Sequence, residues 1–196
     1  MITEAWGSKK DGNGGPSMGT PADNKVEMHG NSIYFYSGVD VDRILELNRM
    51  LRELKSRTIL LEYSRINLYI HSPGGSVFSG AAAMDVILET KAVVPVRTIV
   101  EGSAASAGTF LSVVGTERVM HRHAYQLIHQ LSSAFWGKYA EMQDEMENLD
   151  RLMVMIRGVY KEYTKVPVKK LDEILKRDIW FDAKTCLEYG MIDKII

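Results

Sequence analysis

INLYIHSPGGSVFSGAAAMDVILETK, residues 66–91, changes character in the middle. Residues 66–72 read as a strand, Pro73, Gly74 and Gly75 stop it, and residues 76–91 predict a helix whose first half is small-sided. The flanking sequence repeats the unit. SIYFYS, residues 32–37, predicts a strand, and Val41, Ile44, Leu47, Leu51 and Leu54 then follow at spacings of three and four, one face of an amphipathic helix. VRTIVEG, residues 96–102, predicts a strand, and AASAGTFLSVVG, residues 104–115, a short buried helix without charge. Strand and helix in alternation imply crossover units, hence an α/β fold with a mostly parallel sheet. TERVMH and AYQLIHQ predict two more short strands, the second closing near His129.

Beyond them runs the most regular segment. Phe135, Tyr139, Met142, Met146, Leu149, Met153, Ile156, Tyr160 and Tyr163 alternate spacings of four and three, a heptad-like stripe along one helix over residues 135–163. At about 1.5 Å per residue it would reach roughly 40 Å, more than a small domain is wide. Either it lies across its own core, as methionine-rich stripes often do, or it projects and needs a subunit contact. Leu152, Met155 and Val159 form a second apolar line that favours the contact. Pro167 opens a short helix, RDIWFD follows with Asp178 at the start of a predicted strand, AKTCLEYG is a helix ended by Gly190, and MIDKII is a last strand.

Composition narrows the class. A chain of 196 residues with 45% apolar and 25% charged content is that of one ordinary globular domain. Its 24 basic and 25 acidic residues nearly cancel, so no overall field would recruit nucleic acid or an anionic membrane. The single cysteine, Cys186, excludes an internal disulfide framework and fits a reducing, cytoplasmic setting. There is no apolar run long enough to span a bilayer. Residues 1–31 are rich in Gly, Pro, Ser, Asn and Asp and read as a disordered leader or pro-segment, leaving 32–196 as the domain.

Two places suit chemistry. Glycines after a buried strand let a ligand approach the main chain, so the N–H groups of the Pro-Gly-Gly turn could face an oxyanion or a peptide; a plain strand-to-helix turn explains them too. GSAASAG, residues 102–108, puts a hydroxyl near a helix start, where the following N–H can stabilise negative charge. That favours Ser106 as nucleophile with Ala107 as donor, and leaves Ser103 near the cap. The G-x-S-x-G elbow pattern fails, since residue 104 is Ala, and tight helix packing accounts for the segment on local grounds. A serine nucleophile needs a base and an orienting acid. His129 ends an apolar strand, and Asp178 stands before Ile179, Trp180 and Phe181; a satisfied core histidine and an ordinary cap or salt bridge are their plain readings. His29 belongs to the leader and His71 precedes the glycine turn. His121 and His123 form an H-x-H pair with no supporting cysteine or carboxylate cluster, a poor metal site.

In order and at suitable distances, LYIHSPGGSV, GSAASAGTFL, LIHQ, and RD followed by EYGMID resemble the proteolytic subunit of the Clp protease (ClpP) over residues 32–196. The resemblance implies a crotonase-like ββα spiral head with a projecting handle helix at about 135–163. It implies a serine endopeptidase with Ser106 as nucleophile, His129 as base, Asp178 orienting the imidazole, and Gly75 and Ala107 as oxyanion donors. Gly74, Gly75, Ser76, Val77 and Leu131 would hold substrate, without metal or cofactor. It further implies a homo-oligomer of two stacked heptameric rings, working on unfolded polypeptides delivered by an AAA+ Clp unfoldase that spends the ATP.

The chain departs from that pattern at several positions. Ala107 replaces a larger residue, Leu131 a proline, and SSAFWGK a glycine-rich strand; Lys176 stands where an acid is usual before Arg177, and Asn67 where a tyrosine is usual, Tyr69 remaining. These changes touch the substrate-lining segment, the ring contacts and the strand that helps form the unfoldase pocket. Two other readings stay open: a non-catalytic ring subunit, and an acyl-CoA-handling relative on the same fold, which would share two backbone donors but not Ser106, His129 and Asp178 together.

Overall fold

The computed structural model describes residues 25–61 and 64–196. The expectation for residues 1–24 lies outside them. In chain order the elements are β1 (Lys25–His29), β2 (Ser32–Tyr36), α1 (Val41–Leu61), β3 (Ile66–Ser72), α2 (Val77–Lys91), β4 (Val96–Ala105), α3 (Gly108–Val113), β5 (Glu117–Met120), β6 (Tyr125–Leu127), α4 (Tyr139–Tyr163), α5 (Val168–Leu175), β7 (Phe181–Asp182), α6 (Ala183–Glu188) and β8 (Lys194–Ile195). The main sheet runs β1-β2-β3-β4-β5-β8, and β6 pairs with β4 and β7 off that path. Its pairs are parallel except β1 with β2 and β6 with β7, as the alternating units predicted.

One face of the sheet makes the core. Ile33 and Phe35 of β2, and Ile66, Leu68 and Ile70 of β3, alternate inward and are fully buried, together with Leu47, Leu51 and Leu54 of α1. Burying such side chains contributes roughly 1.5–3 kcal/mol each before chain entropy is counted. The opposite face carries polar and aromatic residues, with Tyr34 and Tyr69 stacked at 4.7 Å.

Four boundaries differ from the sequence reading. The ordered chain begins before residue 32, because Lys25–His29 pairs antiparallel with β2 and buries Val26. Strand β4 runs on through Gly102–Ala105, so Ser103 and Ala104 are strand residues, not helix; β6 pairs with Ser103, Ala104 and Ala105 and draws them out. Asp178 lies between α5 and β7, not at a strand start. The long helix begins at Tyr139 rather than 135, where the Glu141 carboxylate accepts from the Lys138 N–H at 2.8 Å.

The second half of that helix lies on the core, as the first of its two readings had it, and the first half stands clear of it. Ile156, Val159 and Tyr160 are buried, whereas Tyr139, Met142 and Met146 are exposed and Trp136, just before the helix, is 96% exposed.

Candidate active site

Strands β3 and β4 are parallel neighbours, so both turn into their helices at the same end of the sheet. The two turns touch. A Cβ on Gly74 would lie 2.5 Å from the Ala105 carbonyl oxygen and 2.7 Å from the Ser106 Cβ, and one on Gly108 would lie 3.0 Å from the Ser72 Cβ. Gly74 also has φ +88°, a conformation that L side chains rarely adopt. The small residues of both motifs are therefore explained first by this crossing.

At the crossing Ser106 takes φ 51°, and no other non-glycine among the described residues has a positive φ. Such a conformation costs about 1–3 kcal/mol and persists only when its surroundings impose it. They do so here. The Ser106 N–H donates to the Leu127 carbonyl at 2.8 Å, and the Ser106 carbonyl accepts from the Thr109 N–H at 2.9 Å and the Thr109 hydroxyl at 2.6 Å. Ser106 thus sits on a strand-turn-helix elbow ahead of α3, not inside a helix. The geometry forms without the G-x-S-x-G pattern because β6 and Thr109 hold it.

His129 lies two residues beyond β6, and its Nδ1 is 2.6 Å from Asp178 Oδ1. This contact directs the other ring nitrogen away from the carboxylate. The neighbouring Gln130 N–H donates to the Leu175 carbonyl at 2.6 Å, which ties the histidine segment to the end of α5 just ahead of Asp178. The Asp178 side chain is 79% exposed and that of His129 27%. Ser106 Oγ is not hydrogen-bonded to His129 here, although both line one cavity of about 60 Å³.

Gly75, Val77, Ala107, Leu131 and Tyr160 are among the other residues of its wall. The N–H groups of Gly75 and Ala107 donate to no other backbone group among the described residues. Around the glycine turn the other polar groups are committed: Gly74 carbonyl to the Val39 N–H, Ser76 N–H to the Val39 carbonyl, Ser76 carbonyl to the Gly80 N–H, and Ser76 Oγ to the Ser79 N–H. Of the backbone stretch predicted to pair with a peptide, Gly75 keeps its groups free and Ser76 serves as the cap of α2. Leu131 reaches the cavity with its N–H 3.2 Å from Met153 Sδ of α4.

The remaining histidines lie elsewhere. His71 Nδ1 lies 3.1 Å from the Ser103 N–H, which donates to it, and His121 Nε2 is 3.2 Å from Glu101 Oε1. The Tyr36 hydroxyl donates to the same carboxylate. Burial, reinforced by that carboxylate, pushes the Tyr36 phenol up to about 12. Among the described residues no three His, Cys, Asp or Glu side chains are grouped to hold a metal ion, and no helix is long and apolar enough to cross a membrane. Two residues at the site escaped the sequence reading, Thr109 and Tyr160. Tyr160 stood in the apolar stripe as one more core position, and only its buried hydroxyl distinguishes it from Phe.

Comparison with known families agrees with this architecture. The model of the Clp protease family matches residues 33–196, from β2 to the last residue. The chain belongs to the Clp protease family. Within it, the chain is 34% identical over 163 residues to the ATP-dependent Clp protease proteolytic subunit 3 of Streptomyces coelicolor, covering 81% of this chain and 73% of that protein. It is 39% identical over 131 residues to the ATP-dependent Clp protease proteolytic subunit of Chaetosphaeridium globosum, covering 65% of this chain and 64% of that one, just under two thirds of its length. The eight-stranded sheet and six helices fit the Clp protease fold.

Proposed function

We propose that this chain is a serine endopeptidase that cuts unfolded polypeptides inside a closed ring assembly. The carrying observation is one cavity that joins Ser106 on its strained elbow, His129 held by Asp178 at 2.6 Å, and two free backbone N–H groups. In this reading His129 takes the Ser106 proton as Oγ attacks the scissile carbonyl, then returns it to the leaving amine, while Asp178 stabilises the imidazolium. Gly75 and Ala107 donate to the oxyanion. Gly75 and Val77 align the peptide main chain, whereas Gly74, predicted to share in this, has its carbonyl bonded to Val39 and its N–H to Ser72 Oγ; Leu131 lines the substrate side. Water then releases the acyl group, and no step needs a metal or cofactor.

Assembly completes the site. An orienting carboxylate that is 79% exposed and a serine not yet bonded to its base leave the catalytic groups loosely supported in one chain. The exposed half of α4 offers the contact by which two heptameric rings stack and support the segment after His129. An AAA+ Clp unfoldase would spend ATP to feed the chamber in the cytoplasm.

Labelling by a fluorophosphonate serine probe tests the chemistry. Wild type should label, and Ser106→Ala should lose labelling together with peptide hydrolysis, by about 10⁴-fold or more. Unchanged labelling in Ser106→Ala rejects the nucleophile assignment. Sedimentation reads the subunit count, and degradation of a folded protein only with unfoldase and ATP tests the partner.

A further inference from the structure

Behind Ser106 the hydrogen bonds have a direction. A carbonyl can only accept, so the Thr109 hydroxyl gives its single hydrogen to the Ser106 oxygen 2.6 Å away. The Tyr160 hydroxyl, 2.7 Å from the same Thr109 Oγ1, must therefore be the donor in that contact. The chain reads Tyr160 O–H to Thr109, and Thr109 O–H to Ser106 C=O. Both side chains are buried, Thr109 at 0% and Tyr160 at 1% exposure, so the chain is shielded from bulk water. Consecutive bonds of this kind polarise one another.

The consequence falls on the next residue. The Ser106 carbonyl and the Ala107 N–H belong to one peptide plane, and in a trans peptide they point in opposite directions. With the carbonyl drawn toward Thr109, the Ala107 N–H is turned the other way. Ala107 lines the cavity shared by Ser106 and His129. Tyr160 stands on α4, and its ring lies 6.0 Å from that of Phe110 on α3, so the seating of the long helix bears directly on this plane.

We propose that Tyr160 and Thr109 are positioning residues: their hydrogen-bond chain fixes the Ser106–Ala107 peptide plane and so aims the Ala107 oxyanion donor. The inference rests on the peptidase reading above. Full-length Tyr160→Phe, Thr109→Val and Thr109→Ser are compared with wild type on a fluorogenic peptide and for binding of a peptide boronate, which mimics the tetrahedral intermediate. Deleting an oxyanion donor outright costs about 10²–10³ in kcat, so misaiming one should cost less, about 10-fold in Tyr160→Phe and about 30-fold in Thr109→Val.

KM should stay within about twofold, boronate affinity should fall in step with kcat/KM, and Thr109→Ser should restore wild-type rates, because only transition-state binding is touched. The pH profile should keep its midpoints, since no titrating catalytic group changes. Full kcat in both Tyr160→Phe and Thr109→Val, a change in KM alone, or a Thr109→Ser variant as slow as Thr109→Val overturns the proposal. If Thr109→Val does not fold, Tyr160→Phe carries the test, because it keeps the ring in the core. Failure here leaves wild type active and Ser106→Ala inactive, whereas failure of the peptidase reading leaves wild type without peptide hydrolysis, or Ser106→Ala as active as wild type.

Discussion

The turn crossing and the long helix spend their apolar and small residues in opposite ways. At the crossing the packing closes within the chain: an added Cβ on Gly74 or Gly108 would meet backbone or side chain at 3.0 Å or closer. On α4 the side chains of Tyr139, Met142, Met146 and Val154 meet little of their own chain, and a Cβ on Gly158 would meet nothing within 4 Å. Close internal packing marks what one chain must shape alone, which is the serine elbow and its two donors. Unanswered apolar surface marks where the proposed assembly would add a second copy, and Asp178, exposed at the end of the same constellation, falls on that side of the divide.

Glycine substitutions sharpen the contrast most. Gly74→Ala forces a clash against Ala105 and a strained φ, and should destabilise the fold by about 3 kcal/mol or more, read by denaturant unfolding. A stable Gly74→Ala protein with full activity would break the claim that the crossing is tightly determined. Next in size, Met146→Glu should lower the subunit count in sedimentation while leaving the circular-dichroism spectrum unchanged, since Met146 is 62% exposed in the isolated chain. An unchanged count would remove α4 as the contact.

Gly158→Ala should do the reverse of Gly74→Ala and stabilise by about 0.5–1 kcal/mol, because Ala is the better helix former and has room there. Destabilisation instead would mean that a partner packs close to that position. The smallest effect belongs to Asp193, whose carboxyl is held below its usual range, chiefly by its hydrogen bond to Arg118. A depressed folded value contributes stability at neutral pH that fades as the pH falls below about 4. For so exposed a pair this is under about 1 kcal/mol, and a thermal melt at pH 3 should show a smaller penalty for Asp193→Asn than one at pH 7.

The layers of the fold were legible because period and punctuation agree: Ile66–Ser72, the Pro-Gly-Gly stop and the helix behind it occur as read, and the parallel pairing follows. Strand β1 was not read, although Val26 and Met28 alternate with polar neighbours, because it adjoins a glycine-rich polar stretch and its order depends on pairing with β2. Gly102–Ala105 has little strand propensity, and tertiary pairing to β6 overrides it. Lys138 is a poor cap by type, so the start of α4 was read too early at Phe135. Ser106, His129 and Asp178 are far apart in sequence and plain one by one. The family resemblance singled them out, and no local signal could have produced the φ of Ser106 or the Thr109–Tyr160 bond.

The fork in β4 has a consequence for how this protein can change. Its first half, Arg97–Val100, pairs with β5, and its second, Ser103–Ala105, with the three-residue strand β6. Ser106 follows that second half, His129 follows β6, and Asp178 precedes β7, which pairs with β6. All three catalytic candidates are thus surveyed from one short datum line, β6, which joins the sheet at β4 off its main path. Inheritance can rework the broad layer for durability, or for new neighbours, while the instrument mounted on the small one keeps its calibration.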